Sequence, residues 1–369
     1  MQLSWPAPAL FSRPALASLS PIPCLHNSST LETLVACFDN YTVPYDFYTA
    51  ETYAEAQPLA DQLHDWTTLI DSVLSVDGSC SSIPIPPSIA EIYSLSLFSD
   101  TSGPGAQYCV LSELYSLDGA YARGWGLFVV PATAQGVQRD VHLAAPHPQY
   151  DLFTPEQAGA LFKAVGARSL LIAGRQRTAY ALPSDCVVPT SNITVYYKTD
   201  PAHDTDEPFF PASLAIHAWQ ETHGGGCPAA SCAFIQLHGK SASTCPTDTA
   251  FLSAGLGRDP ASREWYTSPT SQPVKRLKPA LIDAFASVNS SFTFSLPSDS
   301  SCSLVATDNV FGRFLNGVPA ADVCTQSASA ERAKGEFVHV EQAIVLREPG
   351  GEGIYEAWAQ ALKEAFPLL

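Results

Sequence analysis

The chain has 369 residues, 46% of them hydrophobic and 15% charged, with a formal net charge of −17. That much apolar material excludes a chain disordered throughout, and the acid excess argues against nucleic acid and anionic membrane surfaces as partners, because their phosphates would be repelled. No apolar run reaches the ~18 residues that a membrane-spanning helix needs.

Residues 1–30 read as an irregular Pro/Ser arm, 31–118 as a helical, disulfide-containing annex, and 119–369 as one α/β domain. In the annex, Leu59, Leu63, Trp66, Leu69, Ile70, Val73 and Leu74 recur at helical spacing. Short strands are predicted at Gly126–Pro131 and Val141–Ala145. A helix then begins at Thr154. Thr154 and Gln157 have capping-box spacing, Pro155 takes the first helical position, and Gly166 supplies the stop. Ser169–Ala173 completes a strand–helix–strand unit, which favours a mixed, mostly parallel sheet flanked by helices. Further strands are predicted at Thr194–Lys198, Ala233–Leu237, Phe292–Leu296 and Glu336–Leu346. Further helices are predicted at Phe210–His223, Pro279–Ser287 and Gly353–Phe366, and a long loop over Ser241–Lys278.

Ten cysteines, an even number, are scattered along the chain without a C-x2-C pair, and four N-x-[ST] sequons lie at Asn27, Asn40, Asn192 and Asn289. Together they point to an oxidising, secretory compartment. Cys80 and Cys109 bracket a segment that one disulfide would close. Met1–Cys24 carries five prolines and no clean apolar stretch, so it makes a poor secretory leader.

Ligands of open α/β sheets bind beyond the carboxyl ends of the strands. Four predicted strands carry a charged or imidazole group at or near that place. They are His147 with Asp151, Arg175 with Arg177, His238, and Glu341 with His339. Zinc hydrolysis needs three protein ligands and an open fourth position. His147 and Asp151 share a short loop, and His238 would close the triangle. Glu341, an acid inside an otherwise apolar strand, is the candidate base, and Arg177 or Arg175 the candidate oxyanion stabiliser. Arg313 and Asn316 form a possible clamp for a substrate carboxylate, and His203 follows Asp200 in a polar cluster. No G-x-G-x-x-G follows a strand, no G-x-x-x-x-G-K-[ST] occurs, and Ser253 lacks a nucleophile elbow.

This order of residues resembles the zinc carboxypeptidase superfamily and its amidohydrolase relatives, the N-formylglutamate deformylases and poly-γ-glutamate hydrolases. The resemblance covers roughly residues 120–365 by sparse motifs and implies a phosphorylase/hydrolase-like α/β fold. It implies His147, Asp151 and His238 as Zn2+ ligands, Arg177 or less well Arg175 as the polarising arginine, and Glu341 as general base. The implied substrate is a peptide or acyl-amino acid. The family spacing is His-x-x-Glu, and here the loop is one residue longer and the acid is Asp. That departure favours the alternative expectation, a non-catalytic secreted binding protein that keeps the fold without its metal.

Overall fold

The computed structural model describes residues 19–102, 106–189, 194–223 and 225–369. Among them, the strands are β1 (Leu19–Pro21), β2 (Tyr93–Ser99), β3 (Gln107–Glu113), β4 (Tyr115–Leu117), β5 (Ala120–Tyr121), β6 (Leu127–Pro131), β7 (Arg139–Ala145), β8 (Ala167–Ile172), β9 (Ala233–Gly239), β10 (Ala250–Ser253), β11 (Phe294–Ser295) and β12 (Phe337–Gln342). The helices are α1 (Cys24–Asn27), α2 (Leu31–Asp39), α3 (Ala50–Ala56), α4 (Ala60–Leu74), α5 (Thr154–Val165), α6 (Phe209–Thr222), α7 (Pro260–Thr267), α8 (Pro273–Phe285), α9 (Val310–Leu315) and α10 (Ile354–Ala365).

Nine strands form one mixed sheet in the order β11-β10-β12-β9-β7-β8-β6-β3-β2. The central run β12-β9-β7-β8 is parallel, as is β11 with β10. Strands β6, β3 and β2 continue it antiparallel. A separate small sheet joins β1, β4 and β5. Strand alternation divides the core in two. Val141, Leu143, Ile235, Leu237, Val338 and Val340 face α2, α5, α8 and α10. Phe234 and Phe337 face α4, α6 and α9. The expected mixed sheet flanked by helices is therefore the architecture.

Several local expectations need correction. Residues 93–113, read as part of a helical annex, supply β2 and β3 to the main sheet. The YSLSLFS strand is only half covered, as an edge strand is, so its apolar signal is weak. Thr194–Lys198 forms no ladder strand. Its backbone makes single bonds to residues 182 and 184, and Tyr197 forms one bridge with Pro183. The loop expected over 241–278 contains β10, α7 and the start of α8, with Pro279 inside the last. The expected strand 336–346 ends at Gln342, and Ile344–Leu346 is a 3-10 turn. Thr154 is not an N-cap. Its hydroxyl bonds the Asp151 carbonyl, and Gln157 reaches across to Gln342 and Leu346 instead of back to its own helix. Of the arm, residues 1–18 lie outside the described residues, as does Asn192.

All ten cysteines pair, as Cys24–Cys37, Cys80–Cys109, Cys186–Cys324, Cys227–Cys232 and Cys245–Cys302. Five disulfides are the chemistry of an extracellular or otherwise oxidising compartment. No helix among the described residues is long and apolar enough to cross a membrane.

Candidate metal centre

Because β7, β9 and β12 run parallel, their C-terminal ends meet at one edge of the sheet. His147 lies two residues beyond β7, His238 is near the end of β9, and Glu341 stands opposite His238 in the β9–β12 register. Gln236, His238, His339 and Glu341 all alternate onto one face. The loop after β7 closes as a tight turn, with the Asp151 amide bonding the His147 carbonyl at 2.9 Å. Gln149 and Phe153 within it have φ of 59° and 70°, left-handed for non-glycine residues. Such backbone costs of order 1–3 kcal/mol per residue and persists only where its surroundings hold it. Here the Gln149 amide is held by the Asp39 carboxylate at 2.6 Å.

Three ligand atoms converge. His147 Nδ1 is 3.1 Å from Asp151 Oδ2, His238 Nδ1 is 3.2 Å from His147 Nδ1, and His238 Nδ1 is 3.4 Å from Asp151 Oδ2. A tetrahedral zinc with ligands at 2.0–2.1 Å has ligand–ligand edges of about 3.3–3.4 Å. The triangle is therefore close to the face of such a site.

The outer partners aim the rings. His147 Nε2 meets Asp200 Oδ1 at 3.0 Å. A carboxylate only accepts, so Nε2 keeps its hydrogen and Nδ1 turns inward. His238 Nε2 faces Gln236 Oε1 at 3.4 Å, which likewise directs Nδ1 inward. Burial pushes His238 down to about 4, so its ring is neutral. Burial and Arg177 lower the His147 pKa, but the Asp200 and Asp151 carboxylates outweigh them and raise it. The cluster thus calls for one cation among its three atoms, and the donor set, two imidazoles and a carboxylate, fits zinc. A metal ion held there would occupy the position of any proton on His147 Nδ1 and leave the Nε2–H on Asp200.

Asp200 is fully buried and organises this side. It accepts from His147, from His203 Nδ1 at 3.0 Å, from the Ala202 amide, and from Arg177 Nη2. Burial would raise its pKa, but Arg177, His203 and His147 hold it well below the carboxylate range. The His203 ring stacks on Tyr196 with centroids 3.7 Å apart. Glu341 is pushed up to about 8, by burial first and then by the Asp151 charge, with His147, Arg177 and Arg347 opposing.

The structure brings His147, Asp151, His238, Glu341, Arg177 and His203 to this centre, and leaves three candidates elsewhere. Arg175 is buried, donates to Glu207 at 2.7 Å and spends its other donors on the Ala56 and Arg123 carbonyls. Arg313 is used up by Asp308 and by the Thr307, Val323 and Cys324 carbonyls. Asn316 is wholly buried and donates to the Ala254 carbonyl. Neither is placed to clamp a substrate: Arg313 has its donors satisfied around its own turn, and Asn316 is buried with its amide on the Ala254 carbonyl and its Oδ1 unpartnered.

Sequence reasoning gave no role to three residues. Asp200 lay in the same cluster as His203, and an acid three residues before a histidine was the available signal. His339 places its ring 4.3 Å from that of His238, with Nε2 3.7 Å from Glu341 and a buried Nδ1 lacking a partner. Arg347 lies against Gly239, donates to the Leu152 carbonyl, and has a buried Nε without a partner. Nothing in the local sequence marked it.

No protein-family model and no curated protein matches the chain. Among solved structures, similarity is found to a succinylglutamate desuccinalase from Vibrio parahaemolyticus, at 14% identity and TM-score 0.33 over 80% of this chain and 79% of that one. A gene product of Agrobacterium tumefaciens matches at 14% identity and TM-score 0.31 over 61% of this chain and 90% of that one. A Shewanella denitrificans protein described as a carboxypeptidase A matches at 11% identity and TM-score 0.30 over 78% of this chain and 65% of that one.

Proposed function

We propose that the chain is a secreted, zinc-dependent hydrolase that cleaves an amide bond in a peptide or an acylated amino acid. The observation that carries this reading is the convergence of His147 Nδ1, Asp151 Oδ2 and His238 Nδ1 at 3.1–3.4 Å from one another. Zinc held by these three residues supplies a Lewis acid for the scissile carbonyl and lowers the pKa of a water.

The chain's own groups do the rest. Glu341 takes the proton of the attacking water and passes it to the leaving amine, a task its raised pKa suits. Arg177 holds Asp200 with Nη2 and offers its remaining N–H groups to the oxygen on which charge develops. His203 and Asp200 fix the His147 ring. Arg347 is the group available for a substrate carboxylate, in place of Arg313 and Asn316, because a buried guanidinium with an unpartnered Nε suits charge-assisted binding. The five disulfides and the exposed sequon residues Asn27, Asn40 and Asn289 support secretion as a glycoprotein.

The test is metal content by elemental mass spectrometry, on the protein and on a His147→Ala/His238→Ala variant. About one zinc per chain, lost in the variant, is the expected stoichiometry. Absence of metal after growth with added zinc would sink this reading and leave a non-catalytic binding protein or a metal-free enzyme.

A further inference from the structure

Arg175 belongs to a second buried polar cluster, away from the metal centre. Its guanidinium pairs with Glu207 and lies over the Tyr48 and Tyr53 rings at 5.4 and 5.5 Å. Beside it, Glu113 is buried and accepts from the backbone amides of Arg123, Gly124 and Trp125. Glu113 forms part of the wall of a cavity of about 540 Å³, within the ~300–1,000 Å³ of ordinary small-molecule sites.

The wall of that cavity has a definite character. Phe47, Tyr48 and Tyr115 contribute aromatic rings, and Leu19, Ile92 and Leu117 apolar surface. Four carboxylates line it, Glu55, Glu91, Glu113 and Asp118, against one base, Arg123. The Arg123 guanidinium is turned to the Glu55 carbonyl. Aromatic faces and an excess of carboxylates both attract positive charge, while apolar walls suit an alkylated cation better than a strongly hydrated metal ion.

We infer that this cavity binds a small organic cation, a substituted ammonium, held by the Phe47, Tyr48 and Tyr115 rings and by Glu113, Glu91 and Asp118. The site is separate from the metal centre and does not depend on the proposed hydrolysis.

The experiment is calorimetric titration of the full chain with choline and with 3,3-dimethyl-1-butanol, its uncharged carbon isostere. Choline is expected to bind at millimolar concentration or tighter, and the isostere roughly tenfold more weakly or worse. A Glu91→Gln/Asp118→Asn variant changes two exposed residues and should fold, and Tyr115→Leu removes one ring. Each is expected to weaken choline severalfold without changing the zinc content of the same samples. Glu113 holds three backbone amides, so Glu113→Gln would disturb the fold as well, and the surface pair is the safer comparison. Equal binding of choline and its isostere, no choline binding, or an unchanged choline affinity in both the surface pair and Tyr115→Leu would each overturn the inference.

Discussion

Glu341 stands directly across from His238 in the parallel register of β12 and β9. Candidate base and candidate ligand are thus fixed to each other by one backbone ladder, which a loop could not do with equal precision. Glu341→Gln keeps the shape and removes the base. Hydrolysis of acyl-amino acids is expected to fall by about 10²–10⁴ with zinc content unchanged. Full activity in the variant would remove Glu341 from the chemistry.

Asp200 acts on the metal centre only through its partners. Asp200→Asn leaves all three ligands in place but no longer guarantees a hydrogen on His147 Nε2. Zinc affinity, measured by competition with a chromogenic chelator, is expected to drop about 10–100-fold. An unchanged affinity would mean that the His147 ring is oriented by other means.

Gly239 leaves room for Arg347. A Cβ at 239 would stand 2.6 Å from Arg347 Nη2, so Gly239→Ala displaces the guanidinium without removing its charge. With a matched pair of substrates, one bearing a free carboxylate and one its amide, KM for the acid is expected to rise about tenfold or more. The amide should be little affected. Equal effects on both would make Arg347 structural.

His142 gives a pH signature of stability. It is buried between Ser169 Oγ at 2.7 Å and Gln220 Oε1 at 3.1 Å and stacks on Phe234. Burial, against the Gln220 hydrogen bond, pushes its pKa from 6.5 down to about 3. The unfolded chain therefore gains a proton first as pH falls. The contribution of His142 is complete above pH 6.5 and is lost between there and about 3, by at most roughly 4–5 kcal/mol. Asp39 and Glu113, raised to about 7 by burial, titrate with the opposite sign, so the difference between wild type and His142→Phe is the informative quantity. In denaturant melts the wild-type advantage should shrink from pH 7 to pH 4. A constant difference would contradict the assigned burial effect.

The Cys186–Cys324 disulfide joins the segment carrying Tyr196, Asp200 and His203 to the turn gripped by Arg313, across 138 residues of sequence. Replacing both cysteines by serine is expected to cost roughly 2–5 kcal/mol of unfolding free energy. It should also weaken zinc binding, because Asp200 loses part of its anchorage. Loss of stability with zinc affinity intact would confine the disulfide to a structural role.

The amino-acid sequence determined by itself what depends on short spacings. The periodicities of α4, α5 and α10, and the β7–α5–β8 unit, are legible within one element each. The βαβ rule then places the C-terminal ends of the parallel strands at one edge, which is why His147, Asp151, His238 and Glu341 could be named before their meeting was seen. The even cysteine count, with the sequons, pointed to an oxidising compartment but could not give the pairing. Tertiary structure decided the rest. Arg175 and Arg177 are two residues apart, yet one is drawn to Glu207 and the other to Asp200. Asp200 reaches His147 across 53 residues, and Arg347 reaches the site only because Gly239 has no side chain. Strand β2 looked peripheral because its edge position leaves it half exposed, and β3, paired on both sides and buried, shows no alternation. Such outcomes depend on which buried charge finds which partner, and that is settled by packing across the chain rather than by any local pattern.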